Sequence, residues 1–311
     1  MQHGSTSNRP LAGYLALAGA ASIWGGMYVV SKYALDFVPP FTLLWLRYVV
    51  GFAVLFALVT RSGLRQPLLN DCRTFMSIGF IGYFVSVGLQ FIGTRLSSAH
   101  MGAILTSASP AFIVVFARTM LGERLSVRKV LSVVLASFGV LVVVGWESGD
   151  GAGSRALLGN LALLGAAGTW ALLSVLARRA SASYPPLVTT AYAIFWAAIF
   201  TTPAMVLEWR YLPVQGLDRP IVWLAIAYLG VVATAGAFFL WNKGLQLVEA
   251  GVGSVFFFLQ PVVGALLGWL ILGEHLGSSF FAGGALILGG VLLVSLPVRK
   301  RARLATEGDA E

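Results

Sequence analysis

Ten apolar runs, each about as long as a bilayer-crossing helix and divided by short polar breaks, leave this 311-residue chain little choice of environment. They fall at roughly 11–35, 41–60, 74–94, 98–121, 127–146, 157–179, 187–207, 221–242, 250–272 and 279–297. Backbone groups in lipid must be satisfied within their own segment, so each run is predicted to be a helix. The expected fold class is an all-α integral membrane protein with ten transmembrane helices. Composition agrees: charged residues make up 11% of the chain, against about 25% in soluble domains, too few to cover a water-facing surface. The first run follows a polar segment and lacks a small-residue cleavage pattern, so it is expected to remain as a signal anchor.

The formal charge is +9. Its bases are scattered among short loops and the tail rather than gathered into a patch, which fits a topology signal and not nucleic acid. With a cytoplasmic N-terminus, fifteen Lys and Arg fall inside and four outside (Arg95, Arg155, Arg210 and Arg219). Lys32 and Arg47 lie within spans, which accounts for all 21. Ten spans place both termini in the cytoplasm, and the expected location is the cell inner membrane. The lipid bilayer is one expected partner, with Arg299–Arg303 meeting anionic headgroups. The single cysteine, Cys72, forms no internal disulfide.

The chain repeats itself. Gly13–Trp24 (GYLALAGAASIW) matches Gly159–Trp170 (GNLALLGAAGTW) at eight of 12 positions, offset by 146. The same offset carries Pro39-Pro40 onto Pro185-Pro186. At an offset of 151, Ala99, Gly102, Pro110 and Leu121-Gly122-Glu123 fall on Ala250, Gly253, Pro261 and Leu272-Gly273-Glu274. The expected organisation is a cytoplasmic segment (1–10), a first five-helix repeat (11–148), a linker (149–156), a second five-helix repeat (157–298) and a basic-to-acidic cytoplasmic tail (299–311). Because five is odd, the second repeat lies upside down relative to the first. Inverted repeats of this kind recur in secondary transporters.

Trp24-Gly25, Pro40 followed by Arg47, and the duplicated patterns Pro110 to Glu123 and Pro261 to Glu274 resemble the EamA-type members of the drug/metabolite transporter superfamily. The resemblance covers about residues 11–298. It implies two inverted five-helix repeats and export or exchange of amino acids, metabolites or drugs. The chain departs from that pattern twice: Ala171 follows Trp170, and Ala193 stands where Arg47 would repeat.

Pro110 and Pro261 are predicted near the middle of their spans, as helix breaks. An interior proline removes a hydrogen bond and displaces the carbonyl four residues back, here those of Thr106 and Phe257. Backbone freed at this depth is tolerated against protein or a wet cavity, although a packing kink is the plainer alternative. Thr106, Ser107 and Ser109 surround the first break, and Phe256, Phe257, Phe258 and Gln260 the second. Together they suggest an aromatic cavity suited to small amphiphiles such as amino acids. At helical spacing, Trp24, Tyr28 and Lys32 form one stripe and Trp170, Ser174 and Arg178 its counterpart. They line the cavity or pack between helices. Lys32 snorkels and Arg178 follows the positive-inside rule in the simpler reading.

Arg47 is an intramembrane base, and such a charge defaults to a functional hypothesis. It binds a substrate carboxylate, or pairs with Glu123, Glu274 or backbone carbonyls. Tyr83, Ser86 and Gln90 share a face of the third helix and Asn242 ends the eighth; each is a candidate for substrate contact or an interhelical hydrogen bond. Glu123 and Glu274 are structural turns or gate residues. Gly264-x-x-x-Gly268 permits close helix approach.

The sequence carries no phosphate-binding loop and no paired-cysteine or His-Glu-x-x-His metal motif; neither cofactor nor metal is expected. No acidic residue falls in mid-span, which favours facilitated diffusion or exchange over proton coupling through a buried carboxylate. The function read from the sequence is a secondary transporter for a small-molecule substrate. The rival readings are a membrane scaffold or sensor and, with less support, an intramembrane lipid-modifying enzyme, for which no nucleophile, acid pair or metal cluster is apparent.

Overall fold

The computed structural model describes residues 9–64, 67, 72–96, 105–144, 154–272 and 278–296. Among the described residues the fold is helical and has no strand. We label the helices α1 (Arg9–Leu35), α2 (Pro40–Arg61), α3 (72–96), α4 (Ser109–Leu121), α5 (Val127–Val144), α6 (Ser154–Ala180), α7 (Pro186–Glu208), α8 (Pro220–Leu247), α9 (250–272) and α10 (Ser278–Ser295). Among the described residues, five stretches are long and apolar enough to cross a membrane: Pro40–Arg61, Cys72–Gly93, Leu157–Ala180, Pro186–Glu208 and Pro220–Leu247. Shorter apolar helices accompany them at Ser109–Leu121, Ala250–Gly264 and Phe281–Ser295. Apolar side chains such as Leu131, Phe138, Leu224 and Leu292 are more than half exposed on the outside. Arg47, Ser109, Asn242 and Gln260 are buried inside. That polarity suits a lipid-facing bundle better than a watery one.

The paired prolines start helices. Pro39 and Pro185 adopt extended backbone (φ −57°, ψ 152° and φ −57°, ψ 143°), and Pro40 and Pro186 open α2 and α7. A proline at the first helical position gives up only a donor that would be orphaned anyway. The Glu208 carboxylate, at the end of α7, accepts the remaining α2 donors, from Phe41 N at 3.1 Å and Thr42 N at 2.9 Å.

The principal helix pairings all join the first half of the chain to the second. They are α1 with α8 and α9, α2 with α7 and α8, α3 with α6 and α7, α4 with α6, and α5 with α10. Exchanging α1–α5 for α6–α10 in order maps this set onto itself. Small residues allow the close approaches. A Cβ on Gly139 of α5 would meet the Gly283 carbonyl at 2.7 Å, and one on Gly290 of α10 would meet the Ser132 carbonyl at 2.8 Å.

Two helices change register internally. Ile78–Ser86 in α3 and Tyr228–Gly236 in α8 are π-helical, nine residues each. They are 150 positions apart, close to the repeat offsets. α9 narrows to a 3₁₀ turn at Ser254–Phe258. α4 begins at Ser109 after a turn at 107–108.

Pro110 therefore does not sit in a helix interior as predicted, whereas Pro261 stays inside α9. Pro110 is in the first turn of Ser109–Leu121, and Pro261 is the third residue of Leu259–Leu272. A turn at 107–108 precedes Pro110 and the 3₁₀ turn at Ser254–Phe258 precedes Pro261, so neither ring meets a full preceding turn of α-helix. The Thr106 carbonyl accepts the Ser109 hydroxyl at 2.7 Å.

Candidate functional site

α1 supplies the spine of the site. Gly25 lies so close to α9 that a Cβ there would meet the Gln260 carbonyl at 2.7 Å and Val263 Cβ at 2.9 Å. Gly264 faces the Gly25 backbone in turn, so the small-residue motif of α9 packs within the chain. This approach sets Trp24 beside the narrowed part of α9. Trp24 Nε1 donates to the Ala233 carbonyl at 3.0 Å, inside the π segment of α8.

Around Trp24 the two halves assemble an aromatic cluster. Its ring centroid lies 5.3 Å from Trp170, 5.4 Å from Phe238, 5.5 Å from Trp241 and 6.3 Å from Phe257. Trp170 lies 5.9 Å from Phe257 and 6.0 Å from Phe238. Trp170 and Trp24 meet edge to face at 82°, a favoured aromatic geometry.

Beside the cluster is a cavity of about 530 Å³, within the range of small-molecule sites. Trp24, Met27, Ser31 and Leu35 line it along α1, and Pro40 and Arg47 along α2. α3 adds Ser86, Val87, Gln90 and Phe91, and α6 adds Ala166, Ala167 and Trp170. Thr106, Ser109, Phe238, Phe257 and Gln260 complete the described part of the wall. At 1.5 Å of rise per residue, the stretch from Trp24 to Leu35 gives the cavity a length of roughly 16 Å.

Arg47 is 5% exposed. Its Nε donates to Thr234 Oγ1 at 2.8 Å, and Thr234 Oγ1 donates to the Leu229 carbonyl, five residues back in the π segment, at 2.8 Å. The guanidinium carbon lies 5.9 Å from the Tyr48 ring and 6.0 Å from the Phe238 ring. Among the described residues no carboxylate pairs with it. The expected alternative of a Glu123 partner is not met, because Glu123 is engaged elsewhere; Glu274 lies outside the described residues.

Glu123 gathers charged partners at the opposite end of α1. Gly122 adopts left-handed backbone (φ 69°) and ends α4, where a side chain would strain the turn. The reversal aims Glu123 at the start of α9. Its Oε1 accepts Ala250 N at 2.7 Å and its Oε2 accepts Gly251 N at 3.1 Å. Arg178 Nε and Lys129 Nζ each lie 3.4 Å from this carboxylate. Lys129 also pairs with Glu249, and Arg178 donates to the Leu245 carbonyl. Gly13 of α1 packs against Val248 beside this cluster, so the cluster lies at the end of α1 farther from Leu35.

Of the residues read from the sequence, Trp24, Arg47, Gln90, Trp170, Phe257 and Gln260 converge on the cavity wall, with Thr106, Ser86 and Ser109. Ser107, Tyr83 and Ser174 are not part of it. Tyr83 is buried between Tyr48 and Phe238, at 6.4 and 4.5 Å. Ser174 bonds the Trp170 carbonyl and accepts Trp241 Nε1. Phe256 stacks on Tyr14 at 5.5 Å and Phe258 is buried. The side chains of Tyr28 and Lys32 lie outside the described residues. Arg178 and Lys129 were read as topology bases, yet both join the ion-pair cluster. Sequence reasoning missed Phe238 and Trp241. The span was expected to end at Asn242, whereas α8 runs on to Leu247, which moves Trp241 away from the interface and into the core.

A profile of the EamA-like transporter family matches residues 11–145 and 157–296. The chain is 28% identical over 290 residues to the uncharacterized transporter YyaM of Bacillus subtilis (strain 168), covering 92% of this chain and 94% of that protein. It is 27% identical over 301 residues to a probable amino-acid metabolite efflux pump of Escherichia coli (strain K12), covering 93% and 96%. A solved crystal structure superposes with a TM-score of 0.78 at 26% identity, covering 93% of this chain and 96% of that one.

Proposed function

The chain belongs to the EamA-like transporter family, and from that premise we propose that it is an inner-membrane secondary carrier that exports or exchanges small metabolites, amino acids among them, by alternating access. In this reading ten transmembrane helices form two inverted five-helix repeats with both termini in the cytoplasm. The observation that carries it is the cavity, which both halves of the chain line and which follows α1 from Trp24 to Leu35. The Glu123–Lys129–Arg178–Glu249 cluster seals the other end. Under the topology above, the sealed end is cytoplasmic and the cavity faces outward. The pairing of helices between halves supports two exchangeable states, since each principal contact has a counterpart. The efflux pump of Escherichia coli supports amino-acid metabolites as cargo.

The test is uptake of a radiolabelled amino-acid panel into proteoliposomes, comparing wild type with Trp24→Ala and Trp170→Ala. The carrier reading expects saturable uptake that both substitutions lower while the protein remains folded. No uptake across a panel widened to bases, drugs and organic acids, with and without a pH gradient, would set that reading aside in favour of a scaffold or sensor.

A further inference from the structure

The polar groups of the cavity are unevenly supplied. Arg47 is 5% exposed and holds a full charge there, with one of its nitrogens engaged by a hydroxyl. Among the described residues, Gln260, 6% exposed, has an Nε2 with no hydrogen-bond partner, and the Nε1 of Trp170 has none either. All three residues line the cavity, and among the described residues its lining contains no Asp or Glu. A buried donor without an acceptor costs stability, and a buried charge without a counter-charge costs more. Three such groups around one space call for an occupant rich in acceptors and negative in charge.

We propose that the cavity is a carboxylate site. Its occupant is an organic acid or amino acid with an apolar, ring-sized body. Arg47 holds the carboxylate, Gln260 and Trp170 supply neutral donors, and Trp24, Phe238 and Phe257 receive the body. Arginine suits this role because its planar fork matches a carboxylate. An aromatic cage could instead hold an organic cation. Here the Phe238 face is already occupied by Arg47, 6.0 Å away, and a second positive charge in the same low-dielectric space is repelled. Sugars are disfavoured by the predominantly apolar wall. That the occupant is cargo rests on the carrier reading above; the preference for a carboxylate does not.

The test uses the purified full-length chain in detergent and a matched set of compounds: 3-phenylpropanoate, L-phenylalanine, L-phenylalaninamide and phenethylamine, titrated by calorimetry. The first two should bind at least about tenfold more tightly than the two without a carboxylate. Arg47→Gln should remove that margin and Arg47→Lys keep part of it. Gln260→Glu should weaken both acids, which provides a second variant if Arg47→Gln does not fold. Equal binding of amine and acid by the wild type overturns the proposal, as does no binding by any member. Counterflow in proteoliposomes separates the two readings. An acid that binds without exchanging removes the carrier and leaves the carboxylate site, whereas amine exchange at the same rate as acid does the reverse.

Discussion

At Arg47 the cost of a buried charge is met by one hydroxyl, two ring faces and the space beside it. Thr234 is the critical neighbour: it receives the guanidinium while donating to the π segment of α8. Thr234→Val keeps the shape and deletes both bonds. It should lower stability by about 1–3 kcal/mol, read as a lower melting temperature in detergent. An unchanged melt would mean that water in the cavity replaces the hydroxyl. Arg47 itself was legible in the sequence as a base within an apolar run. Thr234 was not, because the two are 187 positions apart and a threonine in a helix carries no signal of its partner. Glu123 illustrates the same limit. Its duplicated Leu-Gly-Glu setting marked it, but the backbone donors it accepts are 127 and 128 positions away.

Elements are where sequence reading was most accurate and also where it erred. The apolar runs foretold the helices, since a bilayer-length stretch has few alternatives. The register changes were not foretold. A π segment has nearly the composition of the α-helix around it, and Ile78–Ser86 and Tyr228–Gly236 differ in most residues. Pro110 drew attention to the right place for the wrong reason. A proline in a helix interior costs about 3 kcal/mol, so its removal should stabilise by a comparable amount. Pro110 stands in a first turn, where the missing N–H costs nothing. Pro110→Ala should therefore shift unfolding in detergent by less than about 1 kcal/mol. A gain near 3 kcal/mol would restore the interior-kink reading for Pro110 and require an unbroken helix before it.

The sequence match between the two halves was legible, but the way they meet was not. Two tandem repeats could have packed as neighbours, each around its own core; instead the principal pairings cross between them. Alone, 1–148 would leave Arg47 without Thr234 and Glu123 without the α9 amides, polar groups that lipid does not satisfy, so it should be degraded or aggregate. Coexpression of 1–148 with 149–311 should recover a folded complex, seen as co-purification of an untagged half with a tagged one. Stable, monodisperse protein from a single half would contradict the interleaved core.

Interleaving also sets how the molecule can move. Under the alternating access proposed above, with helices of one half gripped by helices of the other, opening one end requires the seal there to break while the far end closes. Only the Glu123 cluster offers a charged seal among the described residues, so its loss should bias the carrier toward the state open at that end. In a Cys72→Ser background, Ser31→Cys on the cavity wall should react with a membrane-impermeant maleimide in right-side-out vesicles and be protected in inverted ones. Adding Glu123→Ala should slow the reaction in right-side-out vesicles, as the ratio of outward-open to inward-open molecules falls about fivefold for each 1 kcal/mol of bias removed. Equal labelling in both vesicle orientations would mean that the cavity is not closed at the cluster. A rate unmoved by Glu123→Ala would mean that the cluster caps α9 without weighting the two states, leaving its role to the backbone bonds at Ala250 and Gly251.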